Sequence, residues 1–285
     1  MAHRLLIGKG MITLNLKRIF LTLTLLPLFA VAADDCALSD PTLTVQAYTV
    51  NPQTERVKMY WQKANGEAWG TLHALLADMN SQGQVQMAMN GGIYDESYAP
   101  LGLYIENGQQ KVALNLASGE GNFFIRPGGV FYVAGDKVGI VRLDAFKTSK
   151  EIQFAVQSGP MLMENSVINP RIHPNVASRK IRNGVGINKH GNAVFLLSQQ
   201  ATNFYDFACY AKAKLNVEQL LYLDGTISHM YMKGGAIPWQ RYPFVTMISV
   251  ERKGYNDSFV SDTEDGADAG CGVNALSGLH DVAIY

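Results

Sequence analysis

The sequence predicts an α+β fold: a strand-rich single domain with mixed sheets and two main helices. Three observations predict it. Short apolar or alternating stretches recur between turns rich in Gly, Asn and Asp. Only two segments carry a helical period, and no internal repeat or Pro- or Ser-rich linker divides the 285 residues.

The elements follow in order. Leu43, Val45 and Ala47 alternate with polar residues, and Arg56 to Trp61 reads as a partner strand. A helix spans Thr71 to Met79, because Leu72, Leu75, Leu76 and Met79 fall on one face and Gly83 follows. Val85 to Met89 is a strand running into Asn90-Gly91-Gly92. Leu101 to Glu106 and the segment after Asn107-Gly108 form a hairpin, since Asn-Gly adopts positive φ at little cost. A second hairpin joins Val130 to Ala134 and Val138 to Leu143 around Gly135-Asp136. Ile152 to Gln157 is a strand ending in Ser158-Gly159-Pro160, and two strands at Gly184 to Ile187 and Ala193 to Leu197 flank Gly191. Asn203 caps the second helix, whose apolar face holds Phe204, Phe207, Ala208, Ala211 and Leu215. Gln219 to Leu223 is a buried strand delivering Asp224-Gly225, and Phe244 to Val250 closes the domain.

The chain ends read differently. Lys17 and Arg18 precede an uncharged apolar run, Ile19 to Ala32, that closes on Ala30-Val31-Ala32 before Asp34 and Asp35. That is the pattern of a cleavable Sec-type signal over residues 1–32, with Met11 as an alternative start. The run is too short for a spanning helix and contains Pro27, so no stable membrane anchor is expected after cleavage. Asp35 before Cys36 argues against a lipoprotein. The expected location is the periplasm or the medium. The domain is expected over residues 33–253, and the Asp-, Gly- and Ser-rich segment 254–285 reads as a loosely attached tail.

The chain has 24 basic and 24 acidic residues, but cleavage removes Arg4, Lys9, Lys17 and Arg18 and no acid. The mature chain is mildly acidic, which excludes nucleic acid as a general electrostatic partner. In an oxidising compartment two of Cys36, Cys209 and Cys271 pair. Cys36 with Cys209 is the expected pair, the alternative being Cys209 as a buried free thiol.

Three strand ends carry loops of one kind: Asn90-Gly91-Gly92-Ile93-Tyr94, Ser158-Gly159-Pro160 and Asp224-Gly225. Read together they form an anion cradle of backbone N–H groups beside one carboxylate; read singly each is an ordinary tight turn. Arg179 and Arg182, just before a Gly-containing strand, clamp phosphate or carboxylate in the same reading, the alternative being solvated surface charge. His173 and His229 have no partner at ligand spacing, no zinc pattern is present, and loop carboxylates for a structural Ca²⁺ cannot be paired from sequence. No cofactor is expected.

The ordered set MAMNGGIYDESYAPLGLYIENG, QSGPMLM, RNGVGINKHGNAVFL and LLYLDG resembles the phosphodiester glycosidase domain. That domain occurs in the lysosomal enzyme that uncovers mannose 6-phosphate and in many bacterial exported proteins. The resemblance spans Thr42 to Lys253. It implies a glycosyl-phosphate or glycan ligand and hydrolysis of a sugar-1-phosphodiester to free sugar and phosphomonoester. The positions it marks are Asn90 to Tyr94, Ser158 to Pro160, Arg182 and Leu223-Asp224-Gly225. Asp224 is the implied nucleophile or base, Asn90 orients substrate, and Arg182 with the N–H groups of Gly91, Gly92 and Gly159 stabilises developing charge. Ser158 is the expected phosphate contact, Gly225 contacts substrate, Tyr94 stacks on the sugar or packs in the core, and Asp95 and Glu96 are reserve acids or solvated loop charges. Thr226 and Ile227 stand where the family has glycines, so the local cradle differs. The alternative is a non-catalytic glycan- or phosphoglycan-binding protein on the same fold.

Overall fold

The computed structural model describes residues 36–79, 84–174, 176–225 and 227–254. The expected signal, most of the expected tail, Cys271 and Thr226 lie outside them. The first elements are β1 (Val45–Thr49), β2 (Glu55–Tyr60), α1 (Leu72–Met79), β3 (Val85–Asn90), β4 (Tyr104–Glu106) and β5 (Gln109–Val112). Then come β6 (Gly129–Ala134), β7 (Lys137–Arg142), β8 (Ile152–Ser158), β9 (Met161–Glu164) and β10 (Val167–Ile168). The chain continues through β11 (Asn183–Asn188), β12 (Ala193–Ser198), α2 (Phe204–Leu215), β13 (Val217–Asp224), β14 (Met230–Met232) and β15 (Met247–Arg252).

The strands make three sheets, ordered β1-β12-β11-β13-β9-β10, β14-β3-β15-β2 and β5-β4-β8-β6-β7. The strand-rich α+β class with two helices is as the sequence predicts. The expected mixed sheets are corrected: each pairing among the described strands is antiparallel. The physical reason is that neither helix serves as a crossover between neighbouring parallel strands, which parallel pairing requires.

Period-two alternation then builds the core. Met87 and Met89, Ile248 and Val250, Phe131, Phe154 and Val156, Phe195, Leu221 and Leu223 all bury into one cluster shared by the three sheets. The opposite face of each sheet has its own cover. Val194, Leu196, Leu220 and Tyr222 pack under Phe207, Ala208 and Ala211 of α2. Ala88 and Met247 pack under Leu72, Leu75 and Leu76 of α1. Leu103, Ile105, Val130 and Ala155 are closed over by loop residues such as Leu143.

Turns and caps follow the residue types. Thr71 Oγ1 accepts from the Ala74 N–H at 3.0 Å, so Thr71 caps α1 instead of starting it. Asn203 caps α2 as expected, accepting from the Asp206 N–H at 2.7 Å. Asn107 and Gly108 both hold positive φ in the β4–β5 hairpin. Cys36 and Cys209 are joined, S–S 2.00 Å. One turn before Cys209, the buried Asp206 carboxylate accepts from the Ser39 N–H at 2.9 Å and from its hydroxyl. The N-terminal segment is thereby pinned to α2 at two points.

Candidate active site

Three sheets meet where β3, β8 and β13 end. β13 brings Asp224 to the edge of its sheet, and Asn183 at the start of the adjacent β11 accepts the Asp224 N–H at 2.6 Å. Asn183 also donates through Nδ2 to the carbonyl and to Oδ1 of Asn90, both at 3.1 Å, tying β11 to the end of β3. Ser158, at the end of β8, donates its hydroxyl to the Leu223 carbonyl at 3.3 Å.

This network fixes the orientation of Asn90. Its Oδ1 accepts from Asn183 Nδ2 and from the His229 N–H at 3.1 Å, so its amide nitrogen is the end that faces Asp224. Nδ2 donates to Asp224 Oδ2 at 2.8 Å, and the Gly225 N–H donates to Oδ1 at 2.6 Å. No cation pairs with Asp224 among the described residues. Burial therefore pushes its carboxyl up to about 6, against the pull of the Gly225 and Asn90 hydrogen bonds. A carboxylate poised near neutrality in a cleft is a common catalytic arrangement.

Asp224 opens into a pocket of about 400 Å³ lined by Tyr94, Glu120, Asn122, Phe123, Tyr222 and Ile227 among others. Tyr94 stacks on Tyr98, ring centroids 5.7 Å apart, giving one wall a flat aromatic face. Burial first, then the Asp224 charge, raises the Tyr94 hydroxyl above its usual range. The same two causes raise Tyr222, while Arg182 pulls it down. Both phenols are thus protonated donors at neutral pH. A Cβ on Gly225 would stand 2.5 Å from the Tyr222 hydroxyl, so glycine is required for the phenol to sit beside Asp224. Among the described lining residues there are two carboxylates and no Arg or Lys.

The structure relocates several of the residues marked in sequence. Asn90, Tyr94, Asp224 and Gly225 come together as expected. Arg182 does not line the pocket: it is buried, with its guanidinium 4.2 Å from the Phe204 ring centroid and Nη1 3.5 Å from the Tyr222 hydroxyl. Arg182 immediately precedes β11 and is bonded to Ser198 of β12 through its N–H and carbonyl, so in this extended stretch it and Asn183 point to opposite faces. The Gly91 N–H is spent on the Thr246 carbonyl at 3.0 Å, and the Ser158 hydroxyl on Leu223. Gly159 packs so closely that a Cβ would meet the Phe123 carbonyl at 2.6 Å. Gly92 turns the chain at φ 95° against Val156. These four hold strand ends together and do not form the expected open cradle. Arg179 lies at α2, 3.9 Å from Asp206. Asp95 is occupied by its own loop, bonding Ser97 and Ala99. The His229 ring sits beside Phe244 and burial lowers its pKa.

Sequence reading missed Asn183, Tyr222, Glu120 and Asn122. Asn183 and Tyr222 each adjoin or lie two residues from a marked position, where period two was the available signal. Glu120 and Asn122 flank Gly121 in Gly-Glu-Gly-Asn, a polar cluster between apolar segments. Among the described residues no three His, Cys, Asp or Glu side chains are grouped to hold a metal ion, and no helix is long and apolar enough to cross a membrane.

A family model for phosphodiester glycosidase matches residues 83–255, the span from β3 through the end of β15 that carries this pocket. The chain belongs to the phosphodiester glycosidase family. It is 98% identical over 254 residues to the Escherichia coli (strain K12) protein YigE, covering 89% of this chain and 100% of that one. Among solved structures it shares its fold with the zebrafish N-acetylglucosamine-1-phosphodiester alpha-N-acetylglucosaminidase catalytic domain, auto-inhibited by its pro-peptide. There the TM-score is 0.51 at 14% identity, covering 77% of this chain and 86% of that one. An exported-protein candidate of Burkholderia pseudomallei K96243 matches with a TM-score of 0.50 at 12% identity, over 73% and 74%. In this member of the phosphodiester glycosidase family, Asp224 at the end of β13 is the only carboxylate described here that is both deep in the pocket and held by side-chain amide.

Proposed function

We propose that this chain hydrolyses a glycosyl phosphodiester at the anomeric carbon. Water adds to that carbon, the carbon–oxygen bond to phosphate breaks, and free sugar and a phosphomonoester leave. The observation that carries the reading is Asp224: a carboxylate raised to about 6, uncompensated by any cation among the described residues, and facing an open pocket. Phosphate leaves without strong acid assistance, so one well-placed carboxylate suffices where ordinary glycosidases use two. The sugar occupies the pocket against Tyr94, and Asn90 and Asn183 hold the carboxylate in place. Tyr222 donates its hydroxyl toward the departing phosphate. Arg182 acts through it, placing positive charge behind the phenol from an aromatic clamp of Phe204 and Tyr222. The family match and the fold shared with the zebrafish enzyme support the same reaction class.

The test is release of free sugar from a panel of sugar-1-phosphodiesters by the domain, with Asp224→Asn beside it. The variant is expected to lose about 10³-fold in kcat. The anomeric configuration of the first-formed sugar assigns the role: retention makes Asp224 the nucleophile, inversion makes it the base. A second reading, a glycan-binding protein without turnover, is favoured by one observation, the absence of a cation among the described pocket-lining residues. Saturable sugar binding with no hydrolysis across the panel selects it. We also infer export, on the basic flank, apolar run and Ala30-Val31-Ala32 site. A mature protein beginning after Ala32 in a periplasmic fraction is the expected result.

A further inference from the structure

The phosphate side of the substrate needs cations, and the pocket around Asp224 has none among its described residues. Cations gather near the Ser158-Gly159 turn instead. A separate cleft of about 450 Å³ is lined by Arg126, Arg142 and Arg171 with Gly128, Leu143 and Asp144. Asp144 and Glu164 both bond Arg142, at 3.0 and 3.4 Å, so their charge is already matched. Arg126 and Arg171 face no carboxylate among the described residues. Arg126 Nη2 donates to the Ala117 carbonyl at 2.6 Å, which braces it, while its Nη1 is buried with no hydrogen-bond partner. That nitrogen lies 3.4 Å from where a Gly128 Cβ would stand, against the cleft wall. Arg171 is exposed.

Cleft and pocket are close neighbours. The same Gly128 Cβ position is 3.2 Å from the Ser158 carbonyl, and the Ser158 hydroxyl bonds Leu223, the residue before Asp224. One segment also walls both: Leu116 and Arg126 to Gly128 line the cleft, while Glu120 to Phe123 line the pocket. Two residues lie between Phe123 and Arg126, so the two are at most about 11 Å apart.

We propose that the Arg126–Arg171 cleft is an anion subsite that takes a second phosphoryl group on the leaving part of the substrate, an inference that rests on the glycosyl phosphodiester reading. Two unmatched guanidinium groups suit a phosphoryl dianion, which planar N–H forks recognise. The substrate class is then a glycosyl phosphodiester whose aglycone is itself phosphorylated.

Calorimetric titration with pyrophosphate tests the site without turnover, so it stands or falls apart from the catalytic reading. Saturable binding is expected, weakened about tenfold or more by Arg171→Glu, with the melting temperature unchanged because that side chain makes no hydrogen bond among the described residues. Arg126→Gln is the second variant and is expected to weaken binding too. No saturable binding, or binding that both variants leave intact, overturns the site. The kinetic arm compares two glycosyl phosphodiesters that differ only in a second phosphoryl on the aglycone. A lower KM for the doubly charged substrate, lost in Arg171→Glu with kcat retained, identifies the substrate as the source. An equal KM for both substrates, with pyrophosphate still bound, overturns the subsite and leaves a separate phosphorylated ligand.

Discussion

Asp224 illustrates how a single side chain trades stability for reactivity. Its folded pKa of about 6 lies above the ordinary 3.8, so the fold prefers the protonated form. The stabilisation from protonation is full below about pH 4 and is lost as pH rises through 6. Asp224→Asn cannot ionise, so relative to that variant the parent is expected to lose about 1–3 kcal/mol between pH 4 and pH 7. Parallel urea titrations at the two pH values check it; the same change in unfolding free energy for both proteins would refute the raised pKa. The same ionisation sets the rate: kcat/KM is expected to rise through a limb near pH 6 and flatten above it. Tyr222→Phe removes the donor beside Asp224 without opening space, and kcat is expected to fall about 10²-fold with KM little changed. Arg182→Lys, which cannot repeat the stacked fork, is expected to lower kcat by a smaller factor through Tyr222.

At the scale of the element, α2 matters most. It covers one sheet, supplies Phe204 to the Arg182 clamp, and is anchored by Cys209 to Cys36 across 173 residues of sequence. Cys36→Ser is expected to cost about 2–5 kcal/mol, read as a lower denaturation midpoint that reducing agent does not lower further. Reduction of the parent should reproduce the variant. A variant as stable as the oxidised parent would mean that Asp206 and its bonds to Ser39 suffice to hold the segment.

For the whole molecule, the shared core is the controlling feature. Phe131 of one sheet meets Phe195 of another edge-on at 5.8 Å, and both are fully buried. Phe131→Ala is expected to destabilise by about 3–5 kcal/mol and to lower both tryptophan and far-ultraviolet transitions together. Separate midpoints would show that the sheets unfold independently. Because strand ends from all three sheets converge on Asp224, such a core change should also loosen the pocket before the chain unfolds, raising KM at temperatures where the fold persists.

The sequence by itself determined most of the elements, but not the short strands β9, β10 and β14, whose two to four residues carry too little pattern. Apolar stretches marked Val85 to Met89 and Gln219 to Leu223 as strands, the period of Leu72, Leu75 and Leu76 made a helix, Asn203 capped another, and Asn107-Gly108 forced a hairpin. These are local preferences, set by neighbours a few residues away. It also marked Asn90, Tyr94, Asp224 and Gly225, whose convergence the fold then realised. Which groups those strand ends present was decided only in three dimensions. Arg182 and Asn183 look equally eligible in the sequence, yet strand register sends one behind Tyr222 and the other to Asn90. The Gly91 and Ser158 donors look free until Thr246 and Leu223, distant in the chain, accept them. Glu120 joins the pocket and Arg126 a cleft beside it because one segment walls both, and Arg171 reaches that cleft from the stretch after β10. Hydrogen bonds and charges between residues far apart in sequence depend on packing, and local pattern carries no information about them.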